Sequence, residues 1–342
     1  MGREITVLLV DGYIDDPAAL GVPPYISPII RAISGAALDA GADRVEYVTI
    51  DMIRHGARLP QADVSVVMSG NTVPGKYLRS MPMSVKELEA LFPKLSGWRL
   101  IGGSAADADI AGRFDFVIRK DLAASLYDGM CGKEVSERDR TLDEWNRWML
   151  LGADIVKQHQ DFPQPLIAEV ESYRGCHRWS TGGCSYCIEP LKGRPLMRSP
   201  SDIIAEAERL RDLGVRNLRV GGQTCIVSYG SKDDSPVPRP DPEAVSDLFE
   251  GLGALGFDVL HVDNANAAVI STYHDESEQI LETLAHRCTD GNVLALGMET
   301  ADPRVVIENN LNSTSEQVLD AVRAINRIGG GRGPNGPPRL LP

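Results

Sequence analysis

Three of the chain's six cysteines fall close together, at Cys176, Cys184 and Cys187, in the stretch GCHRWSTGGCSYCIEP. Thiols spaced C-x7-C-x2-C can hold a structural zinc, close a disulfide, or ligate a redox cluster with one open metal position. A structural zinc takes four ligands. His177 or a distant thiol could supply the fourth, so zinc stands as an alternative. Three thiolates with no matched fourth fit a cubane iron–sulfur cluster, whose last iron is then open to a substrate or cofactor. Gly175, Gly182 and Gly183 give the loop freedom to wrap around a metal centre. The other thiols lie apart: Cys131 reads as inert, Cys288 as core, and Cys225 as structural although it follows Gln223 by two residues.

Further polar groups stand at the ends of apolar runs. They are Gly221-Gly222-Gln223, then His261, Asp263, Asn264 and Asn266 in HVDNAN, then Gly297-Met298-Glu299-Thr300. Asn264 is the best candidate of its group for touching a ligand; the alternative for this group is loop capping. Arg174 and Arg178 flank the cysteine loop. They are placed to tune a metal centre or meet an anion, or else to pair with Glu169 or Glu171.

These groups need elements to position them. LIAEVESYRG reads as a strand running into the cysteine loop, and SPSDIIAEAERLRDLG as a helix capped near Ser199 or Ser201 and stopped at Gly214. NLRVGGQ, VLHVDNAN and NVLALGMET read as further strands, with helices over PEAVSDLFEGLGAL, SEQILETLAHRC and SEQVLDAVRAINRIG between and after them. Four β/α units in a row start a TIM-like barrel, with the cysteines on its first upper loop, where such barrels do chemistry. Four units cannot close a barrel, and RLLP at the chain end reads as the opening of a fifth strand. The chain is therefore expected to be a fragment, truncated within this domain.

Upstream, ITVLLV, RVEYVTI, ADVSVVMSG, WRLIGGSAA and FDFVIRKD read as strands, with helices over SPIIRAISGAALDAGA and VKELEALFPKL. A loop rich in proline and glycine (Pro17, Gly21, Pro23, Pro24) follows the first strand. This alternation predicts a doubly wound, Rossmann-like parallel sheet. Its strands end in Asp11-Gly12, Asp51, Ser69-Gly70-Asn71 and Gly102-Gly103-Ser104, where such sheets bind ligands. Residues 137–160 read as helical, bridging the domains, with Trp145, Trp148 and Met149 as packing. The expected boundaries are 1–135 for the first domain, 136–164 for a helical linker and 165–342 for the incomplete barrel.

Composition narrows the function classes. The net charge of −13 argues against a wholly basic nucleic-acid-binding face. Arg119, Lys120, Arg174, Arg178, Lys192, Arg194 and Arg198 form a modest local cluster, read mainly as solvated or paired with acids. No apolar run reaches the roughly 18 residues needed to span a bilayer. The N-terminus lacks the basic start and cleavage site of a signal peptide. The expected compartment is the cytoplasm, where clustered thiols favour metal or catalysis.

With Tyr186 directly before Cys187, the cysteine triplet, GGQ and GMET together resemble the radical S-adenosylmethionine (SAM) superfamily over about 165–342. The resemblance implies that Cys176, Cys184 and Cys187 bind a [4Fe-4S] cluster whose unique iron SAM chelates. It places Tyr186 beside the adenine, Gly221, Gly222 and Gln223 at the SAM ammonium, and Asn264 and Glu299 at other SAM or substrate groups. It implies reductive SAM cleavage to a 5′-deoxyadenosyl radical, fed by a ferredoxin- or flavodoxin-like donor. Two departures stand out: the first cysteine spacing is x7 where the family usually has x3, and Gln223 replaces the usual Glu. Residues 5–125 resemble the cobalamin-binding-like domain that precedes many radical SAM domains. The Asp-x-His-x-x-Gly motif is absent and His55 does not fit it, so cobalamin would be held without a protein histidine; a fold that lacks the cofactor is the alternative. The whole pattern resembles an uncharacterised, mainly archaeal radical SAM family. Its members often carry a C-terminal helix-hairpin-helix segment, absent here, which implies a nucleic-acid substrate. The competing reading is a non-catalytic, zinc-stabilised binding protein.

Overall fold

The computed structural model describes residues 4–13, 24–70, 81–334 and 336–342. Pro17, Gly21, Pro23 and Asn71, singled out above, lie outside them. Two compact units emerge: Met1–Ala168 with Arg209–Arg216, and Glu169–Glu208 with Asn217–Pro342.

In the first unit, β1 (Thr6–Asp11), β2 (Arg44–Thr49), β3 (Val64–Ser69), β4 (Trp98–Gly103) and β5 (Phe116–Val117) form one sheet in the order β2-β1-β3-β4-β5. Every pairing is parallel. The order 2-1-3-4-5 is a doubly wound arrangement whose direction reverses between β1 and β3. Successive strand residues face opposite sides. Leu8 and Val10 thus share a core with Val67, Ile101 and the apolar side of α3 (Val85–Leu91), while Val7 and Leu9 are buried on the other face.

Local signals start the helices. Ser27 caps α1 (Pro28–Asp39) by accepting the Ile29 N–H at 3.1 Å, and Thr49 caps α2 (Ile50–Arg54) by accepting the Met52 N–H at 3.1 Å. Reciprocal capping boxes open α3 at Ser84 and Glu87, and α5 (Leu142–Leu151) at Thr141 and Glu144. The segment expected to link the domains folds into this unit: Trp145, Trp148 and Met149 are buried. The helices α1 and α5 meet backbone to backbone, since a β-carbon on Gly35 would overlap the Trp148 carbonyl. A helix that the sequence reading passed over, α4 (Leu122–Met130), starts at the Asp121 cap.

The second unit carries its parallel strands in chain order. The end of β6 (Ile167–Glu171), then β7 (Asn217–Gly221) and β8 (Val259–Val262) lie side by side. Beyond them β9 (Asn292–Val293) pairs in parallel with β10 (Leu340–Leu341), and a single bridge, Ala265 to Leu296, connects the two groups. The RLLP opening of a fifth strand is thus formed and paired. Among the described residues the strands do not close into a barrel. The fourth strand is much shorter than NVLALGMET suggested, because its second half leaves the ladder after that bridge. Helices α6 (Pro200–Asp212), α7 (Pro242–Ala254), α9 (His274–Arg287) and α11 (Ser315–Gly329) follow the expected pattern. Two short ones were not foreseen: α8 (Ala267–Thr272) and α10 (Pro303–Glu308).

Candidate metal centre

The cysteine loop leaves β6 and returns through a short antiparallel contact, Tyr173 opposite Met197 and Arg174 opposite Leu196. Its base is closed by Arg198, whose N–H donates to Ser172 O at 3.1 Å and whose guanidinium donates to Glu171 O at 3.1 Å. The ion pair between Arg198 and Glu206, 2.6 Å long with both side chains 0% exposed, fixes that guanidinium.

Within the loop two glycines are required. Gly175 has φ +92° and a β-carbon there would press on Gly193 O; Gly183 has φ +64° and a β-carbon would overlap the Pro190 ring. The three thiols are half-buried. Burial pushes Cys176 and Cys187 above the ordinary thiol range, and the other cysteines of the loop add to the effect. Among the described residues no three His, Cys, Asp or Glu side chains gather as a site for one metal ion. A cubane puts each thiolate on a different iron, so its ligands need not point at one atom. Hydrogen bonds already run toward two sulfurs: Arg178 N–H to Cys176 Sγ at 3.4 Å, and Arg178 Nη1 to Cys184 Sγ at 3.3 Å. Hydrogen bonds to ligand sulfurs are a recurring feature of iron–sulfur sites. The donor set, the glycine cradle and these N–H···S contacts fit a thiolate-bound cluster.

The residues singled out in the sequence divide. Tyr186, 62% exposed, donates its hydroxyl to Glu299 Oε1 at 2.7 Å, so the cysteine loop and the segment after the fourth strand meet. Burial and then Glu299 push the Tyr186 phenol up. Gly221 and Gly222 pack against Glu169 and Glu171, where a β-carbon on either would crowd the carboxylate arms. Asn264 takes a left-handed φ of +53° and donates Nδ2 to Gln223 O at 3.2 Å, joining the ends of β7 and β8. Gln223 is turned inward and 1% exposed. Its carbonyl accepts from Ser172 Oγ at 3.2 Å, and its amide donates to Val220 O and Asp263 O at 3.2 and 3.0 Å. Its side chain braces three strand ends in this structure.

The remaining candidates make contacts within the protein. Asn266 caps α8, and Asp263 pairs with Arg219 at 3.1 Å. Arg219 also pairs with Glu169, so a buried charged layer lies across β6, β7 and β8. Burial holds the His261 imidazole below its ordinary range. Arg174 pairs with Glu171 at 3.3 Å. Arg119, Lys192, Arg194 and Arg198 pair with Asp107, Glu189, Asp234 and Glu206. Cys225 and Cys288 are buried, and burial raises both thiols; Cys131 is exposed. Sequence reasoning missed Asn309 and Asn310. Ser185 N–H donates to Asn309 O at 3.0 Å, and Ser185 Oγ donates to Asn309 Oδ1 at 2.8 Å. Both lie more than a hundred residues from the loop they hold, and no local signal in the sequence links them.

The first unit has its own polar cluster at the end of β1. Asp11 accepts from the Tyr47 hydroxyl at 2.6 Å and the Tyr13 N–H at 2.8 Å. Burial lifts its carboxyl to about 6. Tyr13 sits at φ +60°. His159, its ring about 6 Å from those of Tyr13 and Tyr47, is buried and held down at about 4 by that burial. The unit's other histidine, His55, is exposed at the end of a short helix.

No family model matches the chain. An uncharacterised protein of Methanocaldococcus jannaschii is 42% identical, with 98% of this chain and 66% of that protein covered. An uncharacterised protein of Archaeoglobus fulgidus is 37% identical, with 98% of this chain and 62% of that protein covered. The chain thus spans slightly less than two thirds of these relatives. A tRNA-2-methylthio-N(6)-dimethylallyladenosine synthase of Mycolicibacterium vanbaalenii is 26% identical over 66% of this chain and 43% of its own length. Among solved structures, apo OxsB, a cobalamin-dependent S-adenosylmethionine radical enzyme, superposes with a TM-score of 0.65 at 14% identity, over 95% of this chain and 48% of that one. The chain therefore has a fold similar to that of a radical SAM enzyme. No helix of the described residues is long and apolar enough to cross a membrane.

Proposed function

We propose that the second unit is a radical SAM centre and the chain part of a radical SAM enzyme. The observation that carries this reading is the hydrogen bond between Tyr186, inside the cysteine triplet, and Glu299, at the end of the fourth β/α strand segment. It brings two of the three separate motifs to one place. The similarity in fold to OxsB supports the reading.

In this reading Cys176, Cys184 and Cys187 would hold a [4Fe-4S] cluster and leave one iron open to SAM. When bound and reduced, such a cluster would supply one electron to break a sulfur–carbon bond of SAM, giving methionine and a 5′-deoxyadenosyl radical; the protein's work is positioning and exclusion of water. Gly221 and Gly222 keep the strand end clear of side chains. Tyr186, Asn264 and Glu299 offer polar groups to SAM. Gln223 contributes through its backbone and its bracing of the strand ends, because its amide is engaged within the protein. The buried Glu169–Arg219–Asp263 layer holds the strands that carry these groups. A ferredoxin- or flavodoxin-like protein delivers the electron. For the first unit we propose cobalamin at the carboxyl ends of its strands, in line with the cobalamin-dependent name of OxsB, held without a histidine ligand because the Asp-x-His-x-x-Gly motif is absent. The substrate class we favour is nucleic acid, in line with the tRNA-modifying name of one relative.

Anaerobic reconstitution with iron and sulfide tests the centre. The expected result is a brown protein that cleaves SAM to 5′-deoxyadenosine when reduced, with cleavage lost in Cys184→Ala. A colourless protein holding one tightly bound zinc, or unchanged cleavage in Cys184→Ala, would overturn the assignment. Retention of cobalamin after gel filtration tests the role of the first unit separately.

A further inference from the structure

The seven residues between Cys176 and Cys184 form an arm that the usual spacing would not contain. Within it, Trp179–Thr181 makes a single tight turn, ended by Gly182 at φ +81°. Two side chains hold the arm in shape. Asn310 Nδ2 donates to Thr181 O at 2.8 Å and to Gly183 O at 2.7 Å. Its Oδ1 accepts from Arg178 Nη2 at 2.7 Å. Asn310 itself sits at φ +47°, a left-handed conformation asparagine tolerates better than most residues. The other nitrogen of the Arg178 fork reaches Cys184 Sγ at 3.3 Å.

Arg178 is buried. A buried guanidinium is costly unless an anion answers it. Among the described residues it forms no ion pair with a carboxylate; its polar neighbours are an amide oxygen and a thiol. The group its second nitrogen faces is Cys184 Sγ, which carries negative charge once it ligates the cluster of the reading above. From these contacts we infer that Asn310 and Arg178 act as one positioning device. Asn310 latches the long arm and orients the guanidinium, and Arg178 places a fixed positive charge on the second cysteine ligand. The device rests on the cluster reading above and deepens it: it sets the reduction potential of that cluster. A positive charge beside a ligand sulfur stabilises the more negative, reduced cluster and so raises the potential.

The test uses the reconstituted full chain and a redox titration followed by electron paramagnetic resonance. Arg178→Gln should lower the potential by an amount corresponding to about a tenfold loss in the one-electron equilibrium, about 59 mV. Asn310→Gly keeps the left-handed backbone and removes only the latch, so it should shift the potential in the same direction. The double variant should match Arg178→Gln alone, because the latch acts through the arginine. Arg178→Lys keeps the charge without the fork and should restore part of the shift. On the metal-free protein, Asn310→Gly should speed protease cleavage within residues 177–183 without lowering the melting temperature. An unshifted potential in Arg178→Gln, or additive shifts in the double variant, would overturn the device while leaving the cluster reading intact. If the parent chain takes up no cluster, the cluster reading fails, and unchanged cleavage of Asn310→Gly would then overturn the latch as well.

Discussion

Glu206→Leu is the most direct perturbation of the platform beneath the cysteine loop. Arg198 and Glu206 are fully buried and 2.6 Å apart. Arg198 is also where the loop returns to β6: its N–H donates to Ser172 O, and the Tyr229 hydroxyl donates to Arg198 O at 2.7 Å. The leucine fills similar space but deprives a buried guanidinium of its carboxylate. Breaking a buried pair from one side costs about 3–5 kcal/mol, whereas replacing both partners with apolar groups is close to neutral. For a unit of this size that cost corresponds to a fall in melting temperature of roughly 6–20 °C. Thermal unfolding followed by circular dichroism reads the shift, and hydrogen exchange over residues 173–198 reads the loop. The single variant should melt low and expose the loop; Arg198→Met with Glu206→Leu should recover most of the loss. A single variant within about 1 kcal/mol of the parent, or a double variant as unstable as the single, would refute the reasoning.

Other outcomes follow from the first unit. Asp11 titrates at about 6 in the folded chain against an ordinary 3.8, because burial disfavours its charge. Its contribution to stability is therefore present below pH 3.8 and lost as pH rises through about 6. The gap corresponds to about 3 kcal/mol, so Asp11→Asn should gain stability over the parent between pH 4 and 7; a difference that stays flat across denaturant melts at these pH values would refute it. His159, held at about 4, has the opposite slope and loses stability on acidification. Asp11→Asn alone should expose that acid-side fall. Gly35→Ala should cost about 1–3 kcal/mol, since its β-carbon meets the Trp148 carbonyl; a melting temperature equal to the parent's would show that α1 and α5 can separate freely.

The parallel sheet of the first unit was legible because its strands are short runs rich in valine, leucine and isoleucine that end in small or polar residues, as in β1 and β3. In β6, β7 and β8 a charged residue or histidine interrupts the apolar run, and the alternation with helices made them legible. The fourth strand of the second unit was not legible in its length: VLALG is apolar throughout, and nothing in it marks where the ladder ends. Helices α8 and α10 have six residues each and carry no periodicity a window could find. Within residues 137–160 the helix Leu142–Leu151 was legible, but its place in the first unit was not. That depends on Gly35 opposing Trp148, a contact between residues far apart in sequence. Gln223 illustrates a different limit. Its type and place at a strand end suit a ligand contact, yet Ser172 and two carbonyls compete for the same amide, and they win because all are already buried around it.

The long gap between Cys176 and Cys184 is the clearest case of a local oddity with a distant cause. Read alone, HRWSTGG only lengthens the loop, and a longer loop costs conformational entropy. That cost is offset where three groups of the arm, Thr181 O, Gly183 O and the Arg178 guanidinium, are held by the single side chain of Asn310. A three-residue gap has no room for such an arm, nor for an arginine that turns back to the second cysteine. The extra residues thus bring a buried cation to Cys184, and the asparagine that holds them lies beyond the fourth strand. Insertion and clamp form one unit, so shortening the arm to three residues should leave Asn310 without partners and Cys184 without its charge. If such a shortened loop, reconstituted with iron, kept the parent's reduction potential, the arm would be mere length and this account of it would fail.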